Sequence, residues 1–557
     1  MLKVDDSPSF WRLVWREGSL SSELERVASD LLRESPVLDV QSALMATQGR
    51  RQTSKAVQPP GSRGAPANDN SKSVQFLSSH RRPSHGGVDV QGAEWRRQKL
   101  LQLTFQDYYR TSPDNIRPPA RIREREFAFE SFVHTWRCSE RETTRRWVLS
   151  RHTADEVVKI GCTRSGTELV RRRVCPECGT PGLQWNNWTR HLGFGSREEL
   201  VRALVESPAV GVYHSAAFYE VPVAKSMEEK KWRGAELVFD IDADHLSLPC
   251  TKTHDAWVCN NPECGATGSG TPPQGGCPSC GGTSISVQKW LCDRCLSEAK
   301  SQARRLVDEF LTSDLGIDPQ SIYLNYSGHR GYHVRVNSAE VERLDSAARV
   351  ELVHFITGKG LNSDRFVAPM ESSVVIPDRQ APGWHGRTAD ALLKFVREID
   401  SYTGRERWVQ SLRDARSREL LIEGLSRNPP ILSGAVRGIG LGFWRQIAAR
   451  AIEDYGVSID EPVTHDVHRI IRLMGSLHGK TGFIVAQLTR DQLDTFDPFR
   501  DSLAFTGEQR VWIPPSPLGV PAFRVGDDTF GPYNDETVDL PMAAAVFLLC
   551  KGVASVE

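Results

Sequence analysis

Residues 234–245, GAELVFDIDADH, alternate in the way that predicts a strand: Leu237, Phe239 and Ile241 fall on one face, Val238, Asp240 and Asp242 on the other. One face packs, and the other ends in paired charge. QSIYLNYSG (320–328), GYHVRVN (331–337) and FIVAQL (483–488) read as further strands. Helical spacing appears at 8–45, through Phe10, Leu13, Val14, Leu24, Val27, Leu31 and Leu32, and again over 383–450, where Leu392, Phe395, Val396 and Ile399 share a face. Between them, 46–93 is rich in Ser, Gly, Pro, Gln, Asn and Arg and nearly lacks large apolar residues, so it reads as a disordered linker. The expected organisation is a helical N-terminal extension at 1–45, this linker, and a main body at 94–557 containing a Cys-rich module at 246–295 and a helical subdomain at 383–450. Strands scattered among helices make the body α+β or mixed α/β.

Composition narrows the picture. The chain has 557 residues, 39% hydrophobic and 25% charged, which is enough for several domains with a core. Lys plus Arg equals Asp plus Glu at 70 each, so no bulk positive field attracts nucleic acid and any polyanion contact is local. Basic clusters stand at Arg121, Arg123 and Arg125, at Arg145 and Arg146, and at Arg171 to Arg173. The N-terminus is charged too early for a signal peptide, and the apolar run 542–550 is too short to span a bilayer. An intracellular, cytoplasmic protein without a membrane partner is expected.

The aspartates of the first strand repel each other unless a cation sits between them, and a hard divalent ion such as Mg²⁺ is the usual answer. The alternative is a strand end with solvated acids. YLNYSGHRGYHVRV (323–336) reads as strand, glycine-bracketed turn and strand, which gathers Ser327, His329, Arg330 and His333 at one end. Hydroxyl, guanidinium and imidazole donors beside glycine suit a triphosphate; a polar hairpin is the bland reading. The segment 458–486 adds Asp460, Asp466, Arg472, His478 and Lys480.

Twelve cysteines suit a reducing compartment if reduced or metal-bound. Seven of them, with one histidine, fall between 250 and 295. Their nesting divides into an inner set, Cys259, Cys264, Cys277 and Cys280, and an outer set, Cys250, His254, Cys292 and Cys295. Each is a complete tetrahedral zinc site of the closed, structural kind. CPEC at 175–178, with Cys162 before it and His191 after, offers a looser third set; Cys138 and Cys550 are expected to be unliganded.

ELVFDIDADHLSLPC, the Cys/His insertion, YSGHRGYHV, HRIIRLMGSLHGKTG, LDTFDPF and VDLPMAAAVFLLCKGVA, in this order, resemble the catalytic small subunit of archaeal and eukaryotic-type DNA primase, the archaeal form in particular. The likeness covers roughly residues 95–557 and is carried by motif order. It implies a mixed α/β primase core with a zinc-binding insertion and helical subdomain. It makes Asp240, Asp242 and Asp460 the ligands of catalytic Mg²⁺ or Mn²⁺, with Asp466 the fallback for Asp460. It places Ser327, His329, Arg330, His333, Arg472, His478 and Arg125 at the nucleotide. The implied activity is synthesis of short RNA or mixed RNA/DNA primers from NTPs or dNTPs on single-stranded DNA, beside a large subunit in a heterodimer. A primase-like polymerase of repair or mobile elements, an inactive zinc-ribbon binding protein and a two-metal nuclease are the competing readings.

Overall fold

The computed structural model describes residues 90–556 apart from 139–140, 150–151, 161–163, 180, 247, 371–372, 429 and 434–439. The helix expected at 8–45 and most of the expected linker lie outside the described residues. Helix α1 (Val90–Thr111) takes in residues 90–93, which were expected to close that linker. Those four residues, Val90, Gln91, Gly92 and Ala93, form the first turn of a helix whose buried stripe, Leu101, Phe105, Tyr108 and Tyr109, begins further on.

The chain divides into two compact units. The larger comprises Arg97–Val133 and Asn186–Glu557; the smaller comprises His134–Trp185 and the residues up to Arg96. Helix and sheet are mixed, in keeping with the α+β expectation. Among the described residues no helix is long and apolar enough to cross a membrane.

Seven strands frame the larger unit's centre: β1 (Phe127–Arg137), β2 (Ala209–Ser215), β3 (Leu237–Asp242), β4 (Ile322–Tyr326), β5 (Gly331–Val336), β6 (Ile470–Arg472) and β7 (Gln487–Leu488). One antiparallel sheet runs β6-β2-β1, and a second runs β7-β4-β5-β3. The last residues of β1, 134–137, belong to the smaller unit, where they pair with Ser165–Glu168.

The acid strand is less two-faced than its alternation suggests. Leu237, Phe239 and Ile241 are buried, and so is Val238 on the acid face, packed with Ala216, Val463 and Ile471. Only the far end of that face, Asp240 and Asp242, is partly open. All six residues of β5 are buried as well, so His333 and Arg335 are interior groups. FIVAQL contributes only two residues to a strand. Ile484 and Val485 instead donate their N–H groups to Ser502 and Ser476, loop partners that the alternation cannot reveal.

Buried arginines hold the foot of β3. Arg125 donates to Glu236 at 2.6 Å and to the carbonyls of Ala120, Ser215 and Ala216, with its guanidinium 3.8 Å from the Phe218 ring centroid. Arg335 reaches the other Glu236 oxygen at 3.2 Å, and Arg349 donates to the Ala235 and Glu236 carbonyls at 2.9 Å. The resemblance placed Arg125 at the nucleotide. Every nitrogen of its guanidinium bonds to protein, so in this arrangement it fixes the strand.

Three short strands, Ala256–Cys259, Thr267–Ser269 and Ile285–Gln288, build the Cys-rich module around Trp257. It leads into α2 (Asp293–Arg305), whose N-cap is Cys292 and which packs across β5 and β3. In the expected helical region, α3 (Gly383–Arg397) buries Leu392, Phe395 and Val396, and α4 (Leu441–Tyr455) packs against it. Ile399 follows in a short turn.

The tightest constraint is Gly331, where a Cβ would stand 2.0 Å from the Ile241 carbonyl oxygen of the neighbouring strand. Gly331→Ala is expected to cost about 3 kcal/mol, read as a lower urea midpoint. Unchanged stability would show that β3 and β5 do not approach so closely.

Candidate active site

Register brings the acids and the hairpin together. β3 pairs with β5 so that Asp240 lies opposite His333 and Asp242 opposite Gly331. The third acid comes from 220 positions further along. Asp460 stands immediately before α5 (Glu461–His465), and its N–H donates to the Asp240 carbonyl at 2.8 Å. Asp466, the fallback, accepts the His468 N–H at 2.9 Å within its own turn.

Asp240 and Asp242 lack enough compensation. Burial, and next the Asp460 charge, push Asp240 up to about 6, although Arg469, His245 and Arg472 pull the other way. Asp242 is raised by burial and by the charges of Asp244 and Asp240, against the Asp244 N–H that it accepts at 2.9 Å. Asp240 thus has one carboxylate neighbour in Asp460 and another in Asp242, and oxygen donors of this kind suit hard divalent ions.

His333 faces this group. Asn325 Nδ2 donates to its Nδ1 at 3.0 Å, which leaves the proton on Nε2, 3.5 Å from Asp240 Oδ1. Burial and the charges of Arg472, Arg335 and Arg469 hold His333 down to about 3, so the ring is neutral.

The turn between β4 and β5 is tied by Ser327. Its N–H donates to the Gly331 carbonyl, and its hydroxyl oxygen accepts from the N–H groups of His329 and Gly331 at 3.3 Å. Gly328 has φ +84°, and a Cβ there would meet His478 Cβ at 2.6 Å. That closeness stacks His329 on His478, with centroids 5.1 Å apart and planes 10° apart. The Lys480 N–H donates to His478 Nδ1 at 3.1 Å, so His478 presents Nε2–H.

Burial holds both rings neutral, and the charges of Lys551, Lys480 and Arg472 reinforce it. Lys551, on the last turn of α6 (Met542–Lys551), donates to the Lys289 carbonyl at 2.7 Å and to His329 Nε2 at 3.4 Å. Burial, then Arg330 and Lys480, push it down to about 7. Arg472 acts on Asp240, His333 and His478 alike, and its Nη1 is buried without a hydrogen-bond partner. Cations thus crowd two neutral rings beside the acids. An anion belongs there. Lys551 was missed in the sequence because it ends an apolar run that reads as core.

Arg330 departs from expectation. Its terminal nitrogens are held by Asp244 and by Asp255, the latter at 3.0 and 3.2 Å, and the side chain is fully buried. The fork that a phosphate would need is occupied. Asp255 also accepts from His254 Nδ1 at 2.8 Å and from the Trp290 N–H at 2.9 Å, so Arg330 links the hairpin to the Cys/His module.

In that module, Cys250, His254, Cys292 and Cys295 form one group able to hold a metal ion, and Cys259, Cys264, Cys277 and Cys280 form another. This is the division expected from nesting. The carboxylate behind His254 aims Nε2 at Cys295 Sγ, 3.3 Å away, as metal-binding histidines require. The looser third set is corrected: Cys138, expected to be unliganded, stands with Cys175 and Cys178. It closes β1 beside the strand that returns to residues 134–137, a pairing invisible in the spacing. His191 belongs to the larger unit, where its N–H donates to Glu126, and Cys162 lies outside the described residues.

A sequence profile described as DNA primase small subunit matches residues 288–490, which include the hairpin turn, Asp460 and Arg472. The DNA primase small subunit PriS of Methanothrix thermoacetophila is 33% identical over 404 residues, covering 68% of this chain and 90% of that protein. The chain belongs to the DNA primase small subunit family. PriS of Methanococcoides burtonii is 30% identical over 480 residues, covering 82% of this chain and 97% of its own length. PriS of Nitrosopumilus maritimus is 27% identical over 462 residues, with 82% and 98% covered. This is an archaeal-type catalytic small subunit, and so a nucleotidyltransferase. The family profile stops short of the acid strand β3, which precedes residue 288.

The strain on Asp240 has a measurable sign. Its folded pKa of about 6 exceeds the unfolded value of about 4, so stability falls as pH rises between them, and the deficit is complete above 6. Without added divalent ions, Asp240→Asn is expected to be more stable than the parent by about 2 kcal/mol at pH 8, the gain vanishing below pH 4. Equal urea midpoints at pH 8 would reject an uncompensated Asp240.

Proposed function

We infer that the chain acts in DNA replication as a primase catalytic subunit. We propose that Asp240, Asp242 and Asp460 hold two divalent cations, Mg²⁺ or Mn²⁺, for nucleotidyl transfer from nucleoside triphosphates to a primer on single-stranded DNA. The observation that carries this reading is the meeting, at one sheet end, of raised carboxylates and a cationic group whose Arg472 Nη1 is buried unpaired. When bound, such ions lower the pKa of a 3′-hydroxyl and stabilise leaving pyrophosphate.

The chain's own residues do the rest. His478, through Nε2–H, and Arg472, Lys480 and Lys551 bind the triphosphate tail. His329 and Ser327 shape the turn beneath it. His333, neutral with Nε2–H toward Asp240, orients that carboxylate. Arg330 positions the hairpin, and zinc in the two Cys/His groups supports the fold, outside the chemistry. Residues 94–557 then form the catalytic body, with 246–295 its zinc module and 383–450 a helical subdomain, and a large subunit completes the enzyme.

Asp242→Ala and Asp460→Ala are each expected to abolish primer synthesis while leaving the circular dichroism spectrum and zinc content unchanged. Normal primer yield from either variant would refute the assignment.

Lys551 supplies a pH signature. Free Lys551 loses its charge above about pH 7, so a triphosphate must recruit a proton to it on binding. Nucleotide KM is expected to rise up to about tenfold per pH unit above 7, and Lys551→Arg to flatten that rise. Parallel profiles for parent and variant would remove Lys551 from the phosphate site.

A further inference from the structure

We infer that the smaller unit carries a third metal centre, a zinc site to which Cys138, Cys175 and Cys178 contribute three thiolates. Their sulfurs all lie within 4.8 Å of one another, and Cys138 Sγ is 3.5 Å from Cys178 Sγ. A disulfide would bring two sulfurs to about 2.05 Å. Thiolates about 2.3 Å from a tetrahedral zinc stand about 3.8 Å apart. The same chain provides its own standard: Cys250 and Cys295 are 3.4 Å apart, Cys259 and Cys280 3.6 Å, and Cys264 and Cys277 3.7 Å. The third group therefore has the spacing of the two Cys/His groups already described.

Local backbone agrees with that spacing. Cys175-Pro176-Glu177-Cys178 curls into a tight turn, with the Gly179 N–H on the Cys175 carbonyl at 3.0 Å and Val174 bridged to Pro181. Turns of this C-x-x-C kind bring two sulfurs onto one ion. Cys138 arrives from the other side, its N–H bonded to the Arg164 carbonyl at 2.9 Å. Trp136, Leu183 and Trp185 pack around the cysteines, and Cys138 and Cys175 are buried at 4% and 2% exposure. Thiolate donors in an apolar shell select a soft ion such as zinc over Mg²⁺.

The fold gives the ion a task. Cys138 follows β1 directly, and Cys175 follows the strand that returns to it; between them lies the hairpin of Arg141–Leu149 with His152–Ile160. An ion shared by Cys138 and the Cys175–Cys178 turn clasps both ends of that excursion. A module this small needs such a clasp, because its own core is slight.

Zinc content of the full chain, measured by atomic emission after reconstitution and removal of loose metal, is expected to be three per chain. Cys138→Ser should hold two, and Cys259→Ser, as the reference, should also hold two. Two zinc ions in the parent, unchanged in Cys138→Ser, would overturn the proposal. Should Cys138→Ser not fold, the parent decides. During stepwise zinc withdrawal from the native chain, alkylation of the part-exposed Cys178 should appear only as one zinc is lost. Cys178 labelled at full zinc content would overturn it equally.

Discussion

One buried guanidinium holds the larger unit's centre in register. Arg330 sits at the turn of the hairpin, with one carboxylate partner just past the acid strand, Asp244, and another inside the Cys/His module, Asp255. Three segments distant in sequence meet on that group. A buried charge is tolerable only when paired and hydrogen-bonded, so losing either carboxylate leaves Arg330 with half its partners and unties one segment from the others. The module is thereby tied to the site without touching the chemistry: His254, which belongs to the outer Cys/His group, is oriented by the same Asp255 that holds Arg330.

Around that anchor the charges sort themselves by burial. His329, His333 and His478 are neutral because interior rings surrounded by lysine and arginine have nothing to gain from a proton. Positive charge is left to Arg472 and Lys480, joined by Lys551 below about pH 7, and negative charge to the aspartates. Arg472 lies between the two sets and influences both. Neutral imidazoles keep a fixed tautomer, set in two cases by a single partner: Asn325 for His333 and the Lys480 N–H for His478. The site thus arrives with its N–H groups already aimed.

Much of this was legible in the chain. Alternation marked β3, β4 and β5, glycine bracketed the turn, and nested cysteines divided into the two groups that the fold assembles. What escaped depended on contacts with no local signature. Arg330 looks like a phosphate ligand in sequence, and Arg125 is placed near the nucleotide by resemblance, but guanidinium chemistry serves a buried carboxylate equally well, and the pairings with Glu236, Asp244 and Asp255 have no local signature. Lys551 closes a helix that reads as pure core, and Cys138 sits 37 positions before its nearest partner in sequence. FIVAQL alternates well, but its N–H groups found loop carbonyls first.

The hydrogen bond from the Asp460 amide to the Asp240 carbonyl works like the fixed jaw of a caliper. It joins main chain to main chain, so the separation of the two backbones from which these acids reach is gauged by peptide geometry.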